Sequence, residues 1–369
     1  MAPKIPIDIS AVLKEVTSIE DALNTPLSVS VYLDPTAPGD VSAFVRSAFA
    51  SEAANTRLAL AYVDDATLAT VRPEDDLAVV VAGLGEWVGS LAARVRAAGV
   101  PAMVVTTLPS LVREAAAAFG APVPDGDVVA PLEREGAGMA RIVAESVLEV
   151  AGVKEPAEGV AAVSPEEPIE LAEEAKALLS ARMGEWVMAT CREKRLAFAL
   201  AFPFVRRPLA LDIAHANSMQ NAGIGAVMFI PGADMPLMTL NQARMLLQIA
   251  AAYGKPMNAQ RAKELALVVA GAFACRGVAR QLAGMRPGLG WAAKAGVAFV
   301  GTEAMGRAAI EYFEAGGDAA GFANVMGKAG KTAAEAASRV FDTPAGRKAA
   351  DAVKGAAWAV YDSVGAARR

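Results

Sequence analysis

The sequence predicts two parts, an α/β domain built on a parallel sheet and an all-α half behind it. Three observations carry this. Strand-like apolar runs alternate with amphipathic helical stretches from Leu27 to Val150, a Pro- and Glu-rich break follows at "GVKEPAEGVAAVSPEEP", and beyond it the apolar residues recur only at helical spacing. At 369 residues the chain also exceeds what one core usually supports.

Residues 1–25 read as a leader with helical potential from Val12 to Leu23. The α/β domain is placed at 26–152. "LSVSVYL" predicts a first strand, "DPTAPGD" a loop and "VSAFVRSAFASEA" a helix. "RLALAYV", "DLAVVVAGLG" and "VPAMVVTTLP" predict three further strands, with "EWVGSLAARVRAAG" as a helix before the last of them. A helix over Ser110–Phe119, the segment "GDVVAPL" and a helix from Gly138 to Val150 complete the domain. Apolar strands separated by helices of this length imply a parallel sheet covered on both faces. Residues 153–168 are the linker.

The helical domain is placed at 169–317. Pro168 stands near the start of a helix through Leu171 to Val187. Thr239 and Gln242 have capping-box spacing, which predicts a helix from Leu240 that Gly254 and Pro256 end. Asn258 caps a second helix with Leu265, Val268, Val269, Ala272 and Phe273 on one face, stopped by Gly284 and Pro287. A third runs from Leu289 to Phe313, and its Ala295, Gly296, Ala298, Gly301 and Gly306 would let another helix approach closely. Residues 318–369 form an Ala/Gly-rich helical tail with Val353, Ala357, Val360, Tyr361 and Val364 at helical spacing.

The runs "ADMPLMTLNQARMLLQIAAAYGK", "RAKELALVVAGAFACRGVARQLAG" and "PGLGWAAKAGVAFVGTEAMGRAAIEYFEAGG" resemble the YcjF-like bacterial domain of unknown function. That family often follows an Era/Der-type GTPase domain, and it brings no catalytic residues to carry over. The resemblance implies a degenerate, P-loop GTPase-like domain upstream, and the motifs can be checked in place. A phosphate loop needs G-x-x-x-x-G-K-[ST], but the loop here has Asp34 for the first glycine, Asp40 for lysine and Val41 for the hydroxyl, leaving only Gly39 in register. Asp64 could take the acidic position of D-x-x-G, where Thr67 replaces the glycine. Thr106-Thr107-Leu108-Pro109 stands where guanine would be read. The implied protein is a pseudo-GTPase without a cofactor, partnered by a true GTPase or by itself, in the cytoplasm or peripheral at the inner membrane. A flavodoxin-like or Rossmann-like domain unrelated to GTPases is the alternative.

Composition sets further bounds. A net charge of −5 gives no reason to expect nucleic-acid binding. The mean hydropathy of +0.34 is high, with alanine supplying much of it. Leu265 to Cys275 is too short for a span of about 20 residues, and the N-terminus lacks a signal-peptide pattern. Arg276, Lys294, Glu303 and Arg307 argue against an integral hairpin. Cys191 and Cys275 in helical patterns suit a reducing compartment. His215, the only histidine, excludes multi-histidine metal sites. Gly83, Gly85 and Gly89 run one residue too long for G-x-G-x-x-G and read as a strand-to-helix turn. In "REKRLAFALAFPFVRR", Arg192, Lys194, Arg195, Arg206 and Arg207 bracket an apolar run with Phe202 and Phe204, which suits either a membrane or partner contact or burial against the helices. The function expected from these observations is a non-catalytic scaffold or regulator. A switch that binds GTP through Asp64 and the backbone at Gly39 is the alternative.

Overall fold

The computed structural model describes residues 9–64, 71–131, 168–227, 234–256 and 290–317. The chain divides into two compact units. One is Thr25–Val205, and the other combines Met1–Asn24 with Arg206–Arg369. The first described helix, α1 (Ile9–Leu23), therefore belongs with the helical unit and is no leader to the α/β domain.

In the α/β unit, β1 (Leu27–Leu33), α2 (Gly39–Ala48), β2 (Thr56–Tyr62), β3 (Leu77–Val81), α3 (Trp87–Ala97), β4 (Ala102–Val105), α4 (Pro109–Ala118) and β5 (Val128–Val129) follow in order. All neighbouring strands pair in parallel, in the order β2-β1-β3-β4-β5. This is the flavodoxin-like doubly wound order. The register puts Tyr32, Ala78, Val80, Ala102 and Val104 on one face, where they form a buried cluster with Val88, Leu91, Ala92 and Val95 of α3 and Val112 and Ala116 of α4. The other face carries Val29, Val31, Val79, Val81 and Val105, all at most 1% exposed. Apolar side chains on both faces are what a sheet covered by crossover helices requires. The exception is the edge strand β2, whose Leu58, Leu60 and Tyr62 share the second face with Val29, Val31 and Leu33 yet remain 37%, 46% and 60% exposed.

The same unit continues through α5 (Glu173–Thr190) and α6 (Arg195–Ala201). The boundary expected at 169 thus falls some way later, and the bonds give the reason. Ile169 N–H donates to the Thr107 carbonyl (3.0 Å), Arg182 to that of Ala130 (3.1 Å) and the Trp186 indole to that of Gly126 (2.7 Å). The predicted linker through residue 167, the helices at 138–150 and 258–284 and the tail 318–369 lie outside the described residues.

In the helical unit, α7 (Pro203–Val227), α8 (Asp234–Ala252) and α9 (Gly290–Glu314) accompany α1. Val12, Val16 and Ile19 form the buried stripe of α1, which lies along α8, with Glu15 accepting from Arg244 (2.7 Å) and Gln248 (3.3 Å). At Gly306 of α9 an added Cβ would come within 2.5 Å of the Ala214 Cβ on α7, so glycine sets this close approach. Buried amides join three helices. Asn221 and Gln242 donate to the Thr302 hydroxyl at 2.9 and 2.8 Å, and Asn241 donates to Asn221 at 3.1 Å.

The capping-box reading of Thr239 and Gln242 is corrected by this arrangement. The helix starts at Asp234, and Gln242 reaches across to α9 instead of back to a helix end. The predicted stop at Gly254 holds. Its φ of 68° and the bonds Gly254 N to Ala251 O and Lys255 N to Ala250 O make a Schellman end, repeated at Gly99, Gly120 and Gly316.

Candidate functional site: the crevice between β1 and β3

In this strand order the chain leaves β1 for β2 on one side and then crosses to β3 on the other. The connections beyond β1 and β3 therefore diverge, and doubly wound folds hold their ligands in the crevice between them. Here those connections are 34–38, before α2, and 82–86, before α3. Asp34, aligned by its N–H to the Val81 carbonyl (2.9 Å), extends β1 by one residue into that crevice.

Its side chain is 4% exposed and takes four hydrogen bonds. One oxygen accepts from Thr36 N–H (3.0 Å). The other accepts from the Thr36 hydroxyl (2.8 Å) and from the backbone N–H groups of Gly83 (2.9 Å) and Gly85 (3.0 Å). The two glycines are needed for this fit. An added Cβ at Gly85 would lie 2.5 Å from an Asp34 carboxylate oxygen, and one at Gly83 would strike the backbone of Thr36. Converging backbone N–H groups at the entry to a helix form an anion-binding concavity. Its occupant is the protein's own carboxylate.

The other residues of the loop after β1 do different work. Val41 is 0% exposed and packs as core on α2, so it does not face a ligand. Asp40, exposed in the first turn of α2, accepts from the N–H of Val41 (2.8 Å). Gly39 is exposed with no atom within 4 Å of an added Cβ. Asp64 is exposed just past the end of β2, on the side of β1 away from β3. At the end of β4, Thr106 and Thr107 are 0% exposed. The Thr106 hydroxyl accepts from Leu108 N–H (3.0 Å), and the Thr107 carbonyl is taken by Ile169.

The basic-apolar segment is a corrected expectation in part. Phe202 is 0% exposed and lies 5.0 Å from Phe49, with Phe204 at 5.1 Å from the same ring, so the aromatic centre is core of the α/β unit. The flanking cations bond within the protein. Lys194 donates to the Pro26 carbonyl (2.8 Å) and pairs with Asp76 (2.7 Å), Arg195 donates to the Met188 carbonyl (2.7 Å) and Arg192 to that of Ala189 (3.2 Å). Arg206 and Arg207 stand at the start of α7, where Arg207 pairs with Glu314, which also accepts from the Tyr253 hydroxyl at 3.0 Å.

Cys191 is buried, and burial, followed by the negative charge of Asp76, pushes its thiol up to about 12. It is no nucleophile near neutral pH. His215 is exposed on α7, its ring 5.9 Å from that of Phe299. Cys275 lies outside the described residues. Among the described residues no three His, Cys, Asp or Glu side chains are grouped to hold a metal ion, and no helix is long and apolar enough to cross a membrane.

Sequence reasoning missed a second buried carboxylate. Asp75 accepts from the hydroxyls of Ser28 (2.6 Å) and Ser30 (2.5 Å) and from Arg57 (3.2 Å), at the opposite end of the sheet. The open cleft of about 510 Å³ beside it is lined by Asn55, Arg57, Glu74, Asp76 and Lys194. Its charges are paired within the protein, Lys194 with Asp76 and Glu74 with Arg72 (2.6 Å).

Fold and crevice together define a doubly wound α/β protein whose customary ligand position is closed from inside. The chain matches no family model, no curated protein and no solved structure.

Proposed function

We propose that the protein is a non-catalytic scaffold or regulator, in which an α/β unit that has given up nucleotide binding is joined to a helical unit that associates with another protein or with the inner membrane surface. The observation that carries this is the Asp34 carboxylate in the crevice. A phosphate brought within about 4 Å of it would be repelled by about 4 kcal/mol at an effective dielectric of about 20. The donors that would offset that repulsion are already used. A degenerate GTPase ancestry, suggested by the loop around Gly39 and by the YcjF-like helices, and a flavodoxin-like ancestry, favoured by the strand order, both lead to this function.

An associating role is supported by β2. Natural sheets blunt their edges with short strands, proline or outward charge. Here the seven-residue edge strand exposes Leu58, Leu60 and Tyr62 on one face, while its Arg57 is tied to Asp75. A true GTPase and a second copy of this chain are the proposed protein partners.

The test is a fluorescence titration of the full chain with labelled GTP and GDP, with and without Mg²⁺. No binding at high nucleotide concentration is expected. Micromolar Mg²⁺-dependent binding that is lost in Asp64→Ala would replace this reading with a nucleotide switch.

A further inference from the structure

We infer that the crevice is an oxyanion site whose ligand is tethered, with Asp34 standing where a doubly wound fold would otherwise hold a small free anion. The inference deepens the closed-crevice reading and rests on it.

Three features separate Asp34 from an ordinary loop aspartate. It is buried, and among the described residues its partners are N–H and O–H donors, none of them a basic side chain. A buried carboxylate without a counter-cation persists only where several oriented donors replace its hydration. Two of the donors come from a segment 49 and 51 residues away, so the arrangement is tertiary and not a local turn alone. Finally, those donors come from glycines, and an added Cβ would strike the Asp34 carboxylate at Gly85 or the Thr36 backbone at Gly83. Donors, void and location are those of an anion site, and the tether supplies the anion at an effective concentration no free phosphate reaches.

Removing the tether should therefore expose the site. In Asp34→Gly the three backbone N–H groups and the Thr36 hydroxyl lose their acceptor, and the space of the carboxymethyl group is vacated for a small oxyanion to enter. Anything that binds only the folded state raises the melting temperature with concentration.

The experiment measures Tm of the full-length wild type, Asp34→Gly and Asp34→Asn against inorganic phosphate, formate and chloride, with direct calorimetric titration of phosphate. The expected result has three parts. Asp34→Gly melts lower than wild type and regains several degrees saturably in phosphate or formate but not in chloride. Wild type shows only the non-saturating salt response. Asp34→Asn, whose amide fills the space, shows no rescue. Should Asp34→Gly fail to fold in every salt, Asp34→Ser is measured in the same way. A folded glycine or serine variant that responds to phosphate as wild type does overturns the inference, as does saturable rescue of Asp34→Asn. Nucleotide binding by wild type would instead overturn the closed-crevice reading, so the two failures are distinguishable.

Discussion

Thr302→Val is the most informative single change in the helical unit, because it removes one atom on which two buried amides depend. Valine is close to isosteric with threonine, so no cavity opens and the effect is confined to the hydroxyl. Asn221 Nδ2 (2.9 Å) and Gln242 Nε2 (2.8 Å) both lose their acceptor, at residues 0% and 1% exposed. The Gln242 carbonyl oxygen already lacks a partner, so that side chain would be left with none. Each buried group left unsatisfied costs about 1–3 kcal/mol, which gives roughly 2–6 kcal/mol for the pair. Against a typical stability of about 5–15 kcal/mol this should be plain. Urea unfolding followed by far-UV circular dichroism measures the loss, and hydrogen exchange should place it in α7, α8 and α9, sparing the sheet. The triple change Thr302→Val, Asn221→Leu, Gln242→Leu should recover much of the loss, since apolar groups replace both donors stranded at Thr302 and only the part-buried Asn241 amide loses an acceptor. A loss below about 1 kcal/mol for Thr302→Val alone, against the range above, would refute the reasoning and mean that the amides find other partners.

Two further predictions concern packing and charge. Gly306→Ala places a methyl against Ala214 and should cost about 1–3 kcal/mol by overpacking, whereas Gly301→Ala, with nothing within 4 Å, should stabilise by about 0.5–1 kcal/mol. Thermal melts of the two variants should move in opposite directions. Burial raises the carboxyl of Asp127 despite its pairing with Arg96 at 3.0 Å. The folded state therefore holds the proton more tightly than the unfolded one. The stability this contributes is present below the unfolded value and is lost as pH rises through the folded value. Asp127→Asn, which keeps an acceptor for Arg96, should thus gain stability relative to wild type as pH rises from about 4 through the folded value, measured by urea midpoints across that range.

How much of this was legible in sequence depends on whether the deciding contact was local. The strands around Val31, Val80 and Val104 were legible because residues buried on both sheet faces leave an uncharged apolar run between turn residues. Gly254 was legible as a helix stop because the left-handed backbone it adopts selects glycine. The start of α8 was misread since Thr239 and Gln242 fit a local capping pattern while both are buried in the bundle. The segment through Phe202 has the composition of an interfacial helix, and only the position of Phe49 identifies it as core. That Asp34 stands where a phosphate loop would need glycine was legible, but not that it occupies the crevice, since that requires knowing that Gly83 and Gly85 arrive beside it.

The helical unit draws on both flanks of the α/β unit, and this orders events during synthesis. α1 emerges before the α/β unit, with Val12, Val16 and Ile19 on one face, but α8, against which it lies, begins only at Asp234. At ~5–20 residues per second the intervening chain takes on the order of 10–40 s to make. For that interval α1 is an amphipathic segment without the helix it packs on. A chain interrupted before Asp234 would therefore leave the apolar face of α1 uncovered, the kind of surface that chaperones hold and proteases remove.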